Sequence, residues 1–338
     1  MPTLDIFNTD AFSLAELTAA VNQLDYVPGL LGELGVFEAK PVTTTSVWIE
    51  ERGDALTLVP NAPRGAVPSY LDNTAKKRTG RSFRATHLPK VDRIYADEIQ
   101  NVRAFGSQSE LEQIMAMVRE RQTMLRRDLE LTWEYQFLNS LQGILKDANG
   151  DTIYNFWTEF ELSQESQVDF ELDDATTDVR AKCAGIVRTM LRNLKGQAVP
   201  GMRVVGLCSD GFYDDLIAHA LVRDTYLNWQ AAQDLRGTSA FARFSFGGIE
   251  FINYRGTDDE TTVTVTADEA IFFPTGVPGL YHNYFAPADT IDFVNTPGLP
   301  FYSWITNPDN KRYVEVEVQS NPLPVCLQPK VLMYAKKA

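Results

Sequence analysis

The clearest pattern along the chain is a row of apolar residues between Ser107 and Lys146. Leu111, Met115, Val118, Leu125, Leu129, Trp133, Phe137, Leu141 and Leu145 recur at steps of three and four, with Gln122 as the polar member of the row. That is the period of an α-helix with one buried face. Ser109 and Glu112 stand at its start with the spacing of a capping box. The spacing predicts a helix over 107–146, roughly 60 Å long at about 1.5 Å per residue. Such a length suits a structural beam.

Other segments read differently. Residues 1–40 predict an arm. Ser13 and Glu16 form another capping box, with Leu17, Val21 and Leu24 at helical spacing after it. Then Pro28, Gly29, Gly32 and Gly35 interrupt the helix while Leu30, Leu31, Leu34, Val36 and Phe37 keep it apolar. So apolar an irregular segment must be covered, by its own chain or by a neighbour. Thr43–Pro60 alternates around Arg52-Gly53-Asp54 as a hairpin does. Asn61–Gly80 has little to bury; a loop of this kind and length is usually functional or disordered. Residues 81–99 again predict extended chain. Further on, the pattern predicts a helix from Thr177 to Leu194, a buried strand in "MRVVGLCS", and a helix from Asp210 to about Val222 capped by Ser209. Strands follow in "RFSFGGIEFINYRG", "TVTVTADEAIFFP" and the tail, where Pro322, Pro324 and Pro329 predict sheet edges or bends.

Between the beam and this mixed α/β body lies "KDANGDTIYNFWTEF", Lys146–Phe160. Asp147, Asn149 and Asp151 alternate around Gly150 like the front of a calcium loop. An EF-hand needs Gly at position six and Glu at position twelve. Counted from Asp147, Gly150 is at four and Thr158 at twelve, so the pattern fails. Asn149-Gly150 instead predicts a type I′ hairpin turn. Tyr154, Phe156, Trp157 and Phe160 then read as hairpin faces, and in a regular strand Phe156 and Trp157 would point to opposite sides.

Composition narrows the class. The 338 residues are 44% hydrophobic and 22% charged, as in a folded protein, and the net charge of −14 argues against a dedicated nucleic-acid binder. No secretory signal or membrane-spanning run is recognisable, and the three cysteines form no disulfide or zinc pattern; synthesis in a reducing compartment is expected. The charge is uneven. Residues 1–60 carry two basic and nine acidic side chains, residues 61–103 nine basic and four acidic, and the rest twenty basic and thirty-two acidic. Between copies of the chain, such a map provides electrostatic complementarity. Lys76, Lys77, Arg78, Arg81 and Arg84 are therefore candidate inter-subunit residues, with a solvated loop as the plainer alternative.

Catalytic and metal patterns are weak. Ser209 lacks the Gly of a nucleophile elbow two residues before it, because position 207 is Leu. A serine hydrolase using Ser209 with His282 and Asp214 is kept as an alternative. Adjacent carboxylates in "GTDDE", Gly256–Glu260, read as a solvated turn. No cofactor, metal site or catalytic group is expected.

The C-terminal third adds a resemblance. "GVPGLYHNYFAPADTIDFVNTPGLPFYSWI" and "VEVEVQSNPLPVCLQPKVLM", together with "GDTIYNFWTEFEL", resemble the framework pattern of lambda-type phage major capsid proteins, in the same order over nearly the full length. The resemblance implies an α+β HK97-like phage capsid fold. It implies an N-terminal arm over 1–40, an extended loop over 41–103, a peripheral domain with spine helix and β-hairpin from 104–174 and 306–338, and an axial domain over 175–305. It further implies self-assembly into hexamers and pentamers of an icosahedral shell around double-stranded DNA, as virion protein made in the host cytoplasm. Expected partners are further copies of the chain, a separate scaffolding protein, a portal and a decoration protein. A non-viral nanocompartment shell of the same fold is the nearer alternative.

Overall fold

In a computed structural model the described residues are 12–23, 29–50, 80–100, 110–233, 243–257, 263–307 and 312–338. The chain divides into two compact units, one of Met1–Val47, Ser82–Tyr135 and His282–Pro324, the other of Trp48–Arg81, Gln136–Tyr281 and Val325–Ala338.

The first unit is built on the long helix and on an antiparallel sheet of Leu88–Tyr95, Tyr313–Ser320 and Tyr302–Thr306, with Tyr313–Ser320 in the middle. Val314, Val316 and Val318 alternate with Glu315 and Glu317, so one face of the central strand is buried with Ile94. The arm helix, Leu14–Gln23, packs on the Tyr302–Thr306 strand. Its Thr18 hydroxyl donates to the Ser303 carbonyl at 3.2 Å, and Asn22 donates to the Phe301 carbonyl at 2.9 Å. Leu17 and Val21 are buried. The apolar face of the arm helix is thus covered by its own chain, while Leu34, Val36 and Phe37 further on stay half-buried. After it, Glu38–Pro41 pairs in parallel with the strand that carries His282–Phe285.

The long helix runs from Glu110 to Leu141 and the unit division falls within it. It stops short of the predicted Lys146, and residues 107–109 lie outside the described set. Gly143 takes φ +72°, its N–H bonds to the Ser140 carbonyl at 3.0 Å, and its carbonyl accepts from Phe156. Leu145 is fully buried, but on the short strand Ile144–Lys146. Apolar spacing alone does not distinguish a last helical turn from a short buried strand.

The second unit contains a six-stranded sheet in the order Val168–Asp169, Met333–Lys336, Glu269–Thr275, Arg203–Cys208, Ile249–Asn253, Arg243–Phe246. The central Arg203–Cys208 strand is buried from Val204 onward, as expected for a strand covered on both faces. Val179–Asn193 and Asp210–Ala218 supply Cys183, Ile186, Met190, Phe212 and Leu216 to its core. The predicted helix over 210–222 breaks at His219, where ψ is 133°. His219 Nδ1 accepts from the Leu221 N–H at 3.3 Å, and a second helix, Ala220–Gln233, begins there. Of the described residues of the predicted strand "TVTVTADEAIFFP", those from Glu269 onward join the sheet, in the strand Glu269–Thr275. Pro322 and Pro324 lie on Pro322–Cys326, an edge strand, as their missing N–H groups require.

The Lys146–Phe160 stretch is a short hairpin, Ile144–Lys146 with Thr152–Asn155. Its turn is not type I′. The Gly150 N–H bonds to the Asp147 carbonyl at 2.8 Å, and Gly150, without Asn149, has positive φ. The aromatics are not hairpin faces either. Asn155 Oδ1 accepts from the N–H groups of Trp157 and Thr158 at 3.1 and 3.3 Å and starts a helical turn, Phe156–Glu159. A helical turn, unlike a strand, lets neighbouring Phe156 and Trp157 both face inward, at 0% and 6% exposure.

Candidate assembly surfaces

The basic segment is only partly within the described residues. Lys76, Lys77 and Arg78, and the second half of the Thr43–Pro60 hairpin, lie outside them. The two strands at the root of this region, Ser46–Glu50 and Gly80–Arg84, pair with each other. Arg81 meets Glu159 at 3.2 Å and Glu161 at 2.7 Å, both on its own chain. Arg84 ends the same strand. Downstream, Lys90 pairs with Asp128 at 2.6 Å and Arg93 with Glu315 at 3.0 Å. Arg121 on the long helix bridges Asp92 at 3.2 Å and Glu98 at 2.8 Å, and its guanidinium pKa is raised first by the Glu98 hydrogen bond. Exposed pairs of this kind are screened by solvent and contribute little, so they orient strands more than they stabilise them. They nevertheless consume cations. Arg64, like Lys76, Lys77 and Arg78, lies outside the described residues.

Trp48, on the root strand, is 64% exposed. The sequence pattern placed it in a hairpin without marking it as outward-facing. A second surface also escaped that reading. Ile291 and Val294, in the "ADTIDFVNTPG" stretch, are 91% and 60% exposed on a 3-10 turn. The available signal was two apolar residues interleaved with Asp289 and Asp292.

The remaining candidates resolve into framework. Ser209 is buried at a helix start, and its Oγ has no hydrogen-bond partner among the described residues. His282 Nδ1 lies 2.9 Å from the Tyr284 hydroxyl and Nε2 lies 3.5 Å from Glu38. Asp214 is exposed. All three cysteines are buried, and burial pushes the thiols of Cys183 and Cys326 up to about 12 and that of Cys208 well above the ordinary value. In the abandoned calcium loop, Asn149 donates to the Asp147 carboxylate at 3.1 Å, as side chains in a turn do. Among the described residues there is no group of His, Cys, Asp and Glu able to hold a metal, and no helix long and apolar enough to cross a membrane. Residues 258–260 of "GTDDE" lie outside the described set.

Comparison with known proteins gives these surfaces their setting. The family model for phage major capsid protein E matches residues 13–337. The major capsid protein of Pseudomonas phage KPP10 is 29% identical over 346 residues, covering 97% of each chain. The major capsid protein of Salmonella phage Felix O1 (isolate Felix O1-VT1) is 25% identical over 354 residues, covering 95% of each chain. A structure described as a capsid protein of an E. coli CFT073 prophage aligns with TM-score 0.52 at 16% identity, covering 95% of this chain and 97% of that one. A phage-related protein from Bordetella bronchiseptica RB50 aligns with TM-score 0.50 at 11% identity, covering 95% and 96%. The fold is the α+β HK97-like fold of phage capsids. The relatives are structural proteins, and nothing in them supports the serine hydrolase alternative. Matched over nearly its whole length, the chain belongs to the phage major capsid protein E family.

Proposed function

We propose that this chain is the shell subunit of a tailed-phage or prophage head, and that its copies assemble into hexamers and pentamers around double-stranded DNA. The observation that carries this reading is the family match over residues 13–337. A separate scaffolding protein, a portal and a decoration protein are its expected partners, and a bacterial cytoplasm its place of synthesis. An acidic chain of net charge −14 suits a container that holds DNA without gripping it. Within the subunit, 1–40 serves as arm and 41–103 as extended loop. Residues 104–174 and 306–338 form a peripheral domain, and 175–305 an axial domain around the five- and six-fold positions.

In this reading Lys76, Lys77, Arg78, Arg81 and Arg84 form an inter-subunit clamp, with Arg81 also tying the loop root to Glu159 and Glu161. Exposure of Trp48 on the root strand leaves an apolar side chain there for a neighbour to cover. Electron microscopy of the purified chain tests the shell: closed icosahedral particles are expected, and a monodisperse monomer under all assembly conditions refutes it. Neutralising the five basic residues tests the clamp; normal shell yield and normal salt tolerance would remove it.

A further inference from the structure

His87 joins three pieces of the first unit. It stands just before the Leu88–Tyr95 strand, and Thr86 fixes the backbone there through its N–H and hydroxyl, which donate to the Pro322 carbonyl at 3.0 and 2.6 Å. The ring reaches two ways. Its Nδ1 lies 3.0 Å from Asn321 Oδ1 and 3.0 Å from Gln319 Nε2, at the end of the central Tyr313–Ser320 strand. Its Nε2 lies 3.8 Å from the Asp289 carboxylate. Asp289 belongs to the segment 286–301, which connects His282–Phe285 to the Tyr302–Thr306 strand. That segment is pinned at its ends. The Ala286 N–H bonds to the Asn321 carbonyl at 3.0 Å, Asn321 Nδ2 donates to the Pro287 carbonyl at 2.9 Å, and the Ser320 hydroxyl donates to the Pro300 carbonyl at 2.7 Å. Between these pins Asp289 faces His87.

The polar atoms around Nδ1 cannot all be matched at once. Asn321 Oδ1 is held as an acceptor, because its amide nitrogen is committed to Pro287, and it accepts from Gln319 Nε2 at 3.0 Å. With a lone pair on Nδ1, the imidazole accepts from Gln319 but opposes the Asn321 oxygen. With a proton on Nδ1, it donates to that oxygen but opposes the Gln319 amide hydrogens. Turning the Gln319 amide over relieves this second conflict, since Oε1 then accepts from the ring. Gln319 is fully buried, and Oε1 has no hydrogen-bond partner among the described residues. Each amide orientation leaves one contact unmatched, so the proton on His87 selects between them.

Charge acts in the same direction. Asp289 and Glu317 are the carboxylates that His87 meets. Burial, and then Asp289, hold the Glu317 carboxyl above its ordinary range, while the Trp304 hydrogen bond and His87 pull the other way. Lys90 and Arg93, on the strand that follows His87, are engaged by Asp128 and Glu315. An imidazolium is therefore the cation that answers Asp289.

We propose that His87 is a proton-operated latch: its protonation turns the Gln319 amide, draws Asp289 in, and fastens the 286–301 segment to the sheet. The latch works within one subunit and does not require the shell reading. Histidine is the side chain whose ordinary titration falls between about pH 5 and about pH 8. The latch is closed while the ring is charged and is released as pH rises through that range. The segment carries the exposed Ile291 and Val294, so the proton also sets how firmly that surface is presented.

Hydrogen exchange of the full chain, followed by mass spectrometry at about pH 5.5 and about pH 8 and corrected for intrinsic rates, tests the latch. Protection of residues 286–299 is expected to be about two- to fivefold greater at the lower pH, the range of a partly exposed ion pair. His87→Gln should abolish the difference and Asp289→Asn should reduce it, whereas Glu317→Gln should keep it. Equal protection at both pH values in the unaltered chain overturns the latch. So does a difference that survives His87→Gln, and one that Glu317→Gln alone removes assigns the proton to Glu317 instead. The amide turn has its own readout in the unaltered chain. The Gln319 side-chain amide resonances should follow the His87 ring titration by NMR, and resonances that stay fixed through it overturn Gln319 as the responding group.

Discussion

The Glu134 carboxylate accepts the Leu31 N–H at 2.9 Å and the Gly32 N–H at 3.4 Å. It reaches across from the long helix to the arm and satisfies backbone donors that the short Leu30–Glu33 helix leaves open. Glu134 is only 5% exposed, and a Cβ on Gly29 would overlap its carboxylate. Glu134→Ala removes a buried charged acceptor and leaves donors stranded, so a loss of about 1–3 kcal/mol is expected by chemical denaturation. Glu134→Gln keeps one acceptor oxygen and should lose less. By the same contacts, deletion of residues 1–40 should unfold the first unit. A folded, soluble deletion product that merely fails to form shells would contradict this and return the arm to a purely inter-subunit role.

Gly143 permits the close passage of the Trp157 ring. Its φ is +72°, and a Cβ at this position would collide with the indole, whose Nε1–H donates to the Gln142 carbonyl at 3.3 Å. Gly143→Ala combines backbone strain with that collision, and a loss of about 1–3 kcal/mol is expected. Gly150→Ala has only the backbone term, because nothing lies within 4 Å of its added Cβ. Thermal melts of the two variants should therefore separate, with Gly143→Ala the lower.

Glu317 should give the subunit a distinctive pH response. Its folded-state pKa lies above the ordinary 4.5 because burial and Asp289 oppose ionisation more than the Trp304 hydrogen bond and His87 favour it. The folded state therefore keeps this proton to a higher pH than the unfolded chain does. Stability from this group is present at low pH and is lost as pH rises through the folded pKa. Glu317→Gln should flatten the pH dependence of stability in the window above 4.5 and leave neutral-pH stability no lower than before. A variant with an unchanged pH slope, followed by denaturant midpoints, would rule the effect out.

All three cysteines should be silent in the native subunit. They are buried, and the thiols of Cys183 and Cys326 are pushed up to about 12. A thiol reagent at mildly alkaline pH should modify none in the folded protein and all three after denaturation. Rapid native labelling of any one would show that its core opens locally.

Trp48→Ser separates folding from assembly. The side chain is 64% exposed, so its loss should change subunit stability by no more than about 0.5 kcal/mol. If the root strand meets a neighbour, shell yield should nevertheless fall. Equal yields from the variant and the unaltered chain would make Trp48 a bystander.

The sequence by itself determined the beam helix, the buried Arg203–Cys208 strand, the edge prolines and the framework pattern of the C-terminal third. In these segments the apolar period, the turn residues and the missing proline donors are local and agree with one another. It also determined the charge map, which depends on composition alone. Only the tertiary structure decided what covers the arm, because Leu17 and Val21 read identically whether a neighbour or the chain's own Tyr302–Thr306 strand lies over them. The same holds where a single residue chose between structures of similar apolar pattern. Asn155 capped Phe156–Glu159 into a helical turn, and Gly143 ended the beam before Leu145. The exposed Ile291–Val294 turn was hidden for a related reason. Its exposure depends on Phe293 being held against Tyr302, a contact that fixes which side of the turn faces out and that no spacing along the chain records.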